Sequence, residues 1–479
     1  MSMAHRDLRE WLTAVENIQQ LRHVQGADVA KDIGAITDIY MKKMGRPALL
    51  FDRIPGYQPG FRVLSNITTA KERVAISLGL PAETAPMDIV RFWREIAQSG
   101  RLLPPRKVQD GPVLTHVQRD DEVNLEAFPA PIWHELDGNA YIGTGCAVII
   151  KDPDSDWVNV GAYRVAVHDS KTAGLMISPG HQGHTLLERY WKRGQAAPVA
   201  VALGGDPLLY LVAGINIPEG VSEYDVAGGV RGEAYEVIEG PYTGLPIPAT
   251  AELVIEGEVP PDEKWMEGPF GEWTGYYAGG RRPVPIIRVR SILYRDDPII
   301  CGAVPRRPPS DDTYYCTFLN AAEVWNQLER AGIPGITGVW AQEAGGSRMW
   351  LTVSLKQMYP GHAKQAGLVA SQCFAGNYAN RWVVVVDDDI DPSDNEAVIW
   401  ALCTRVDPRE DVEVLKKTLS TALDPMSYPR EKPMFNSRLV IDACRPWERL
   451  DNFPPVSEIS RELELETRSK FPDLFDFKD

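Results

Sequence analysis

The sequence predicts an α+β chain with two main domains, a β-rich domain followed by an α/β domain, joined by a helix. The chain has 479 residues, which suggests roughly three domains of about 150 residues, with two large ones also compatible. Short β-branched runs separated by Gly and Pro recur from about residue 110 to 305 and favour a β-rich domain, with a barrel as one form. Strand and helix patterns then alternate, which is typical of an α/β domain.

The first part of the chain, residues 1–110, is predicted to be an α/β segment that packs on the β-rich domain. Apolar residues at helical spacing predict a helix over residues 6–24. The other predicted elements of this segment are a helix over 28–44, a strand over 47–54, and helices near 69–79 and 84–99.

The remaining boundaries follow from changes in pattern. The β-rich domain is predicted over residues 111–312, and the connecting helix over 313–332 ends at Gly332. The α/β domain is predicted over 333–455, with helices near 362–378 and 394–405. A charged helix over 456–470 lies in a C-terminal segment, 456–479, that either packs on a partner chain or is a solvated tail.

Charge and cysteine usage limit the classes of function. The formal net charge is −16, so nucleic acid and anionic membranes are poor partners, and an anionic ligand needs a local Arg or Lys. The six cysteines are scattered without a CxxC motif, which predicts buried free thiols. The N-terminus lacks an apolar signal region and no apolar run is long enough to span a bilayer. These features predict a cytoplasmic protein.

Several common catalytic motifs are missing. The sequence has no GxSxG elbow, no GxxxxGK[ST] phosphate loop and no complete GxGxxG fingerprint. His181 and His184 lack the Glu of an HExxH zinc motif. The stretch "VVVVDDDID", residues 383–391, is interpreted as an acidic exit from a strand rather than a metal site.

The stretch "EGPFGEWTGYY", residues 267–277, places Glu267 and Glu272 five residues apart. A regular strand would point them to opposite faces, and the proline between them disfavours a helix. The segment must therefore bend if both carboxylates serve one site, and Gly268 and Gly271 are the residues that permit a bend. The alternative is a β-bulge with solvated carboxylates.

Three other short stretches of the β-rich region carry polar side chains that are considered together with Glu267 and Glu272. "NVGAYR" contains Asn159 and Arg164, "PGHQGH" contains His181, and "GVSEYD" contains Glu223. In order and spacing, and together with the Glu-x-Pro-Phe-Gly-Glu block, they resemble the UbiD-like decarboxylase family, with a ferulic-acid-decarboxylase-type pattern. The resemblance extends from about residue 40 to 450 and includes "VDDDIDP" and "IDAC".

The resemblance implies a prenylated FMN cofactor and a Glu–Arg–Glu group formed by Arg164, Glu267 and Glu272. It assigns Glu272 as proton donor to the product carbon and Glu267 as orienter of Arg164, whereas geometry alone leaves the two roles open. It also implies that the β-rich domain is a split-barrel-type prenyl-FMN-binding domain. The second domain would be an α/β oligomerisation domain, and the helix a hinge that closes over substrate.

The resemblance further implies an Asn–His–Glu set, formed by Asn159, His181 and Glu223, that binds a divalent ion at the flavin phosphate. Amide, carboxylate, imidazole and phosphate ligands favour Mn²⁺ or Mg²⁺, and K⁺ is a further candidate ion. Arg381 stands where the family has a phosphate-binding Lys. The cofactor-binding residues implied by the resemblance are Asn159, Gly161, Ala162, Tyr163, Arg164, His181, Pro218, Glu223 and Arg381.

The expected activity is non-oxidative, reversible decarboxylation of an aromatic, heteroaromatic or α,β-unsaturated carboxylic acid, with CO₂ as the second product. The expected assembly is a homodimer or a hexamer, and a separate flavin prenyltransferase is the implied cofactor supplier. A flavin carrier or an inactive relative is the alternative, but a carrier needs no proton donor and here the Glu–Arg–Glu group is complete. An ordinary redox flavoenzyme is disfavoured because no nicotinamide fingerprint is present.

Overall fold

A computed structural model describes residues 5–42, 46–427 and 434–475. The N-terminal segment alternates helices with short strands. Its elements are α1 (Leu8–Asn17), β1 (Leu21–Gln25), α2 (Asp32–Met41), β2 (Ala48–Asp52), β3 (Arg62–Ser65), α3 (Lys71–Ser77) and α4 (Pro86–Ser99).

The prediction of one helix over 6–24 is wrong in its second half. Helix α1 buries an apolar face that includes Trp11 and ends at Asn17, and Gln19 then adopts a left-handed φ of 59°. The next residues form β1, which pairs in parallel with β2. Tertiary pairing therefore overrides the helical spacing there. Of the helix predicted over 28–44, only the part that forms α2 is helical. Residues 43 and 44 of that prediction lie outside the described part of the chain.

The middle of the chain is rich in strands. Its elements are β4 (Arg106–Lys107), β5 (His116–Arg119), β6 (Ala140–Gly143), β7 (Cys146–Lys151), β8 (Val158–Gly161), β9 (Arg164–Asp169), β10 (Thr172–Met176), α5 (Gln182–Trp191), β11 (Ala197–Leu203), α6 (Pro207–Ala213), α7 (Glu223–Arg231), β12 (Glu236–Glu239), β13 (Pro246–Pro248), β14 (Leu253–Val259), β15 (Lys264–Glu267), β16 (Arg282–Tyr294) and β17 (Ile299–Gly302).

Ten of these strands form one antiparallel sheet. Its order is β6-β9-β10-β16-β14-β11-β7-β8, with β5 and β15 also paired to the long β16. Alternate residues of these strands enclose an apolar core that includes Val148, Val201 and Ile255. Strand β17 leaves this region and pairs in parallel with β3. The N-terminal segment is thereby hydrogen-bonded to the β-rich region.

The last part of the chain has the alternating strands and helices that its sequence pattern predicts. Its elements are α8 (Asp311–Arg330), β18 (Ile336–Ala341), β19 (Trp350–Leu355), α9 (His362–Gln372), β20 (Trp382–Asp387), α10 (Asn395–Arg405), β21 (Val412–Leu419), β22 (Phe435–Ala443) and α11 (Arg461–Lys470). The sheet order is β18-β19-β20-β22-β21, with β19, β20 and β22 parallel.

Two carboxylates of the acidic stretch at the end of β20 are paired with arginine. Arg405 donates hydrogen bonds to Asp387 and Asp389, and Arg445 binds Asp387 at 3.0 Å. This agrees with its interpretation as an acidic strand exit.

All six cysteines lie in the described part of the chain and are free, but Cys373 is half-buried and Cys403 is exposed, so the expectation that all are buried is wrong for these two. None of the described helices is both long enough and apolar enough to cross a bilayer.

Candidate active site

The segment between the two glutamates bends as it leaves the sheet. Glu267 ends β15, opposite Arg282 of β16, and Gly268 follows with φ at 90°, which only glycine adopts readily. Gly271 is needed for space and not for its backbone angle. Its φ is not in the left-handed region, but a Cβ there would lie 3.0 Å from the carbonyl oxygen of Pro305. The bend brings Glu267 and Glu272 to the same arginine.

Glu267 is held from two sides. Arg164 donates through Nε to Oε1 at 2.8 Å and through Nη2 to Oε2 at 3.2 Å, a bidentate geometry. Tyr141 donates its hydroxyl to Oε1 at 2.7 Å. Burial and the charge of Glu267 raise the pKa of Tyr141, so this hydroxyl stays a donor. Both Glu267 oxygens are engaged as acceptors, which suits an ionised carboxylate.

Neighbouring strands and one aromatic ring position Arg164. Tyr141 on β6 faces Ala166 on β9, the strand that Arg164 begins. The Phe270 ring packs against Tyr141 at 4.2 Å between centroids and lies 4.6 Å from the Arg164 guanidinium carbon. Although burial opposes its charge, the carboxylates of Glu267 and Glu272 raise the pKa of Arg164. The guanidinium is therefore a fixed cation.

Glu272 lies in a different environment. It is only 8% exposed, and its Oε1 is 3.7 Å from Nη1 of Arg164, which is longer than a hydrogen bond. Burial raises its pKa, although the charges of Arg164 and Arg282 act in the opposite direction. The two carboxylates thus differ: both oxygens of Glu267 accept hydrogen bonds, whereas burial raises the pKa of Glu272 and suits it to carry a proton.

The residues of the Asn–His–Glu set come from three adjoining elements. Glu223 begins α7 and accepts from Asn159 Nδ2 at 2.9 Å and from the Val160 N–H at 2.7 Å. His181 precedes α5, and its neighbour Gln182 accepts from Asn159 Nδ2 at 3.2 Å. His181 itself is exposed. Asn159 and Glu223 are therefore in direct contact, with His181 beside them.

The chemistry of this set fits a cation. Glu223 is 3% exposed, and within the described residues no Lys, Arg or His forms an ion pair with it. Burial raises its pKa to about 7, so a nearby positive charge is what the carboxylate lacks. The described ranges contain no cluster of three His, Cys, Asp or Glu side chains suited to a metal. The predicted set has only two such groups, and an amide is its third.

The other predicted cofactor residues occupy neighbouring and separate places. Gly161 ends β8, the Ala162 N–H donates to Ala213 O at 3.0 Å, and the Tyr163 hydroxyl accepts from the Gly183 N–H at 3.1 Å. Pro218 is exposed in the loop before α7. Arg381 lies in the second domain, where Nη2 is 2.5 Å from Asp424.

Three residues near the site were missed by sequence reasoning. Tyr141 and Phe270 support the Glu–Arg–Glu group, and Arg348 places its guanidinium carbon 5.1 Å from the ring centre of Trp273, the residue after Glu272. Phe270 lies inside the quoted block and could have been singled out. Tyr141 and Arg348 carry no local signal, since their partners are distant in sequence.

Family models match three parts of the chain. They describe a 3-octaprenyl-4-hydroxybenzoate carboxy-lyase N-terminal domain at residues 12–93, a Rift-related domain at 106–308 and a C-terminal domain at 313–443. A pyrrole-2-carboxylic acid decarboxylase of Pseudomonas aeruginosa is 34% identical over 438 residues, covering 88% of this chain and 87% of that protein. A phenolic acid decarboxylase of Bacillus subtilis is 30% identical, with 93% of each chain covered.

Solved structures agree in fold. The vanillic acid decarboxylase of Sedimentibacter hydroxybenzoicus, in its open form, has a TM-score of 0.87 at 27% identity and covers 98% of this chain and 100% of its own. Its closed form has a TM-score of 0.82, at 27% identity and with 99% and 100% covered. An evolved dimeric form of the UbiD-class enzyme HmfF from Pelotomaculum thermopropionicum, in complex with prFMN, has a TM-score of 0.82 at 26% identity, with 96% and 98% covered. The protein belongs to the UbiD-like decarboxylase family and is a carboxy-lyase.

Proposed function

We propose that this carboxy-lyase removes CO₂, reversibly and without net oxidation, from an aromatic, heteroaromatic or α,β-unsaturated carboxylic acid with the help of prenylated FMN. The observation that carries the proposal is the split between the two glutamates around Arg164. Glu267 is held in bidentate contact, whereas Glu272 is buried with a raised pKa. The names of the relatives support an aromatic acid, because pyrrole-2-carboxylic, phenolic and vanillic acids are what those decarboxylases act on.

The residues that would hold the cofactor are those that the resemblance assigns. Asn159, His181 and Glu223 would bind Mn²⁺ or Mg²⁺ at the flavin phosphate, with K⁺ as a further ion. Residues 161–164 and Pro218 would line the flavin, and Arg381 stays a predicted phosphate contact. The bound cofactor supplies an electron sink, which no ordinary side chain offers, for the electron pair left when CO₂ departs.

The chain's own residues supply orientation and the proton. Tyr141 and Glu267 hold the Arg164 guanidinium, which in turn orients the substrate carboxylate beside Glu272. The bond between the carboxylate carbon and the substrate carbon breaks, CO₂ leaves, and the Glu272 carboxyl gives its proton to the substrate carbon. Solvent then reprotonates Glu272, and the reverse sequence carboxylates the product.

The proposal is tested on full-length protein produced together with a flavin prenyltransferase in the presence of Mn²⁺ and K⁺. We expect a bound flavin whose intact mass exceeds that of FMN by one prenyl unit, and CO₂ release from an aromatic acid. Glu272→Gln should keep the flavin and lower CO₂ release by about 10²- to 10⁴-fold, the usual effect of a general acid.

Two results would contradict this function. Turnover that is unchanged in Glu272→Gln would remove the proton-donor role. Folded protein that binds flavin but releases no CO₂ from a broad set of aromatic and unsaturated acids would favour a carrier or an inactive relative instead.

A further inference from the structure

The bend between the two glutamates is attached at its start to the segment 134–139, which precedes β6. The Gly268 N–H donates to Asn139 Oδ1 at 3.0 Å, and the Gly138 N–H donates to the carbonyl of Pro269 at 2.8 Å. A Cβ on Gly138 would overlap the carbonyl oxygen of Gly268. The two segments can therefore approach this closely only because Gly138 has no side chain.

The far end of the same loop is held by Asp137. The Tyr277 hydroxyl donates to Asp137 Oδ1 at 3.1 Å, and Asp137 Oδ2 accepts from the His134 N–H at 2.9 Å. The side chain of Asp137 is fully buried, where a hydrogen bond is stronger than in water. A Cβ on Gly271 would lie 4.0 Å from Nδ1 of His134, which places this segment against the residue before Glu272.

Between these two attachments, Glu272 depends on its backbone for its position. Its Oε1 lies 3.7 Å from Arg164 and 4.0 Å from Arg282, so neither arginine fixes it by a hydrogen bond. The Glu272 N–H donates to the carbonyl of Tyr276 at 3.1 Å, and the Glu272 carbonyl accepts from the Gly275 N–H at 2.8 Å. Because these bonds close the turn on itself, the attachments on either side of the turn set where the Glu272 carboxyl lies.

We propose that Asp137 and Asn139 are positioning residues for decarboxylation, which hold both ends of the loop so that the Glu272 carboxyl stays at the site. This inference rests on the proposed proton-donor role of Glu272 and adds to it the residues that keep the donor in place. The same segment continues into β6, where Tyr141 donates to Glu267. One segment thereby supports both carboxylates, and reacting groups need to be held within about 0.5 Å of their productive geometry.

Hydrogen–deuterium exchange of the full-length protein without flavin tests the attachment itself. The substitutions Asp137→Ala, Asn139→Ala and Tyr277→Phe should each raise the exchange rate of backbone amides in residues 268–277 by about tenfold, because the loop opens more often without these bonds. Asp137→Asn should stay near the wild type, since its amide still accepts from the His134 N–H and donates to the Tyr277 oxygen. Amides of β20, in the second domain, should be unchanged and serve as the reference.

Kinetics of the flavin-loaded protein test the consequence for the chemistry. Asp137→Ala, Asn139→Ala and Tyr277→Phe should lower kcat per bound flavin by about 10- to 100-fold with KM nearly unchanged, because a displacement of about 1 Å can cost about 10²-fold. Asp137→Asn should restore most of kcat. Tyr359→Phe is the matched control, because the Tyr359 hydroxyl donates to Gln365 Oε1 at 2.9 Å in the second domain, and its kcat should equal that of the wild type.

The outcomes separate this inference from the proposed function. Wild-type exchange over residues 268–277 in Asp137→Ala would overturn the attachment, and Tyr277→Phe decides the same point should Asp137→Ala not fold. Raised exchange with unchanged kcat would leave Asp137 a merely structural residue and overturn its positioning role. If the exchange results hold but the flavin-loaded wild type releases no CO₂, the proposed function fails while the attachment of the loop stands.

Discussion

At the scale of single residues, hydrogen-bond partners distinguish the two glutamates. Glu267 has both carboxylate oxygens occupied by Arg164 and one shared with the Tyr141 hydroxyl. Glu272 is buried, and its Oε1 lies 3.7 Å from Arg164 and 4.0 Å from Arg282, both longer than a hydrogen bond. A carboxylate that accepts several hydrogen bonds is stabilised in its charged form, and one that is mainly desolvated is stabilised in its protonated form. This contrast supports Glu272 as the proton donor.

Tyr141→Phe tests whether the support of Glu267 matters for the chemistry. A hydrogen bond to a charged group contributes about 1.5–3 kcal/mol, so kcat should fall by about 10- to 100-fold if the transition state depends on it. Tyr235→Phe is the matched control, because the Tyr235 hydroxyl also binds a buried carboxylate, that of Asp206, outside the Glu–Arg–Glu group. Both variants should lose stability. Equal kcat values in the two would show that Tyr141 is only structural.

The raised pKa of Glu272 predicts two pH dependences. The protonated donor is lost as the pH rises through the pKa of Glu272, so kcat for decarboxylation should fall in that direction.

The same shift affects stability. At pH values between the ordinary pKa of 4.5 and the raised pKa of Glu272, the folded chain binds the proton more tightly than the unfolded chain. The free energy of unfolding should therefore decrease as the pH rises through this window. Urea unfolding of the wild type and Glu272→Gln isolates this contribution, and parallel pH profiles of stability would contradict it.

At the scale of elements, α8 is tied to the N-terminal segment by one carboxylate. Asp311 is fully buried in the first turn of α8 and accepts from the backbone N–H groups of Asn66 at 3.0 Å and Thr68 at 2.8 Å. Burial raises its pKa to about 6. These bonds fix the start of the helix that joins the two domains, close to the loop that follows Pro305.

Asp311→Asn should destabilise the chain without touching the site. An amide turns one N–H₂ donor toward backbone donors, and a buried unpaired N–H costs about 1–3 kcal/mol. Asp88→Asn, at an exposed ion pair with Arg91 on α4, should change the free energy of unfolding by less than about 1 kcal/mol. Denaturant unfolding measures both. Equal, small effects in the two variants would contradict the role given to Asp311.

At the scale of the whole molecule, apolar side chains are exposed on the edge strand β21 of the second domain and on its neighbour β22. Val414 and Leu419 on β21 and Phe435 on β22 are each more than half exposed. Strand β21 is the last in the sheet order, and exposed apolar edge strands favour association with another chain. We propose that this surface contributes to the homodimer or hexamer expected from the sequence.

Sedimentation velocity tests this assembly. The wild type should sediment with at least twice the chain mass of 53.3 kDa. Val414→Glu should shift the population toward the monomer, because a buried unpaired carboxylate is unfavourable. Leu102→Glu changes an exposed apolar residue outside this sheet and should leave the assembly intact. A wild-type monomer, or equal effects of the two substitutions, would count against this interface.

The sequence alone determined the chemical groups of the site and most of the strongly patterned elements. Residues 267–272 predict a bend with two carboxylates, and the spacing around Asn159 and Arg164 indicates the family. The helix of 6–24 failed beyond Asn17 because local spacing does not encode the pairing of β1 with β2.

Only the tertiary structure decided how the groups are used. Tyr141 and Arg164, which lie on β strands, both donate hydrogen bonds to Glu267, although they are 126 and 103 residues away from it in the sequence. The tertiary structure also gave Arg381 a carboxylate and left Arg348 beside Trp273. The physical reason is that pKa values and hydrogen bonds depend on burial and on partners brought together by strand pairing, which no local stretch of sequence contains.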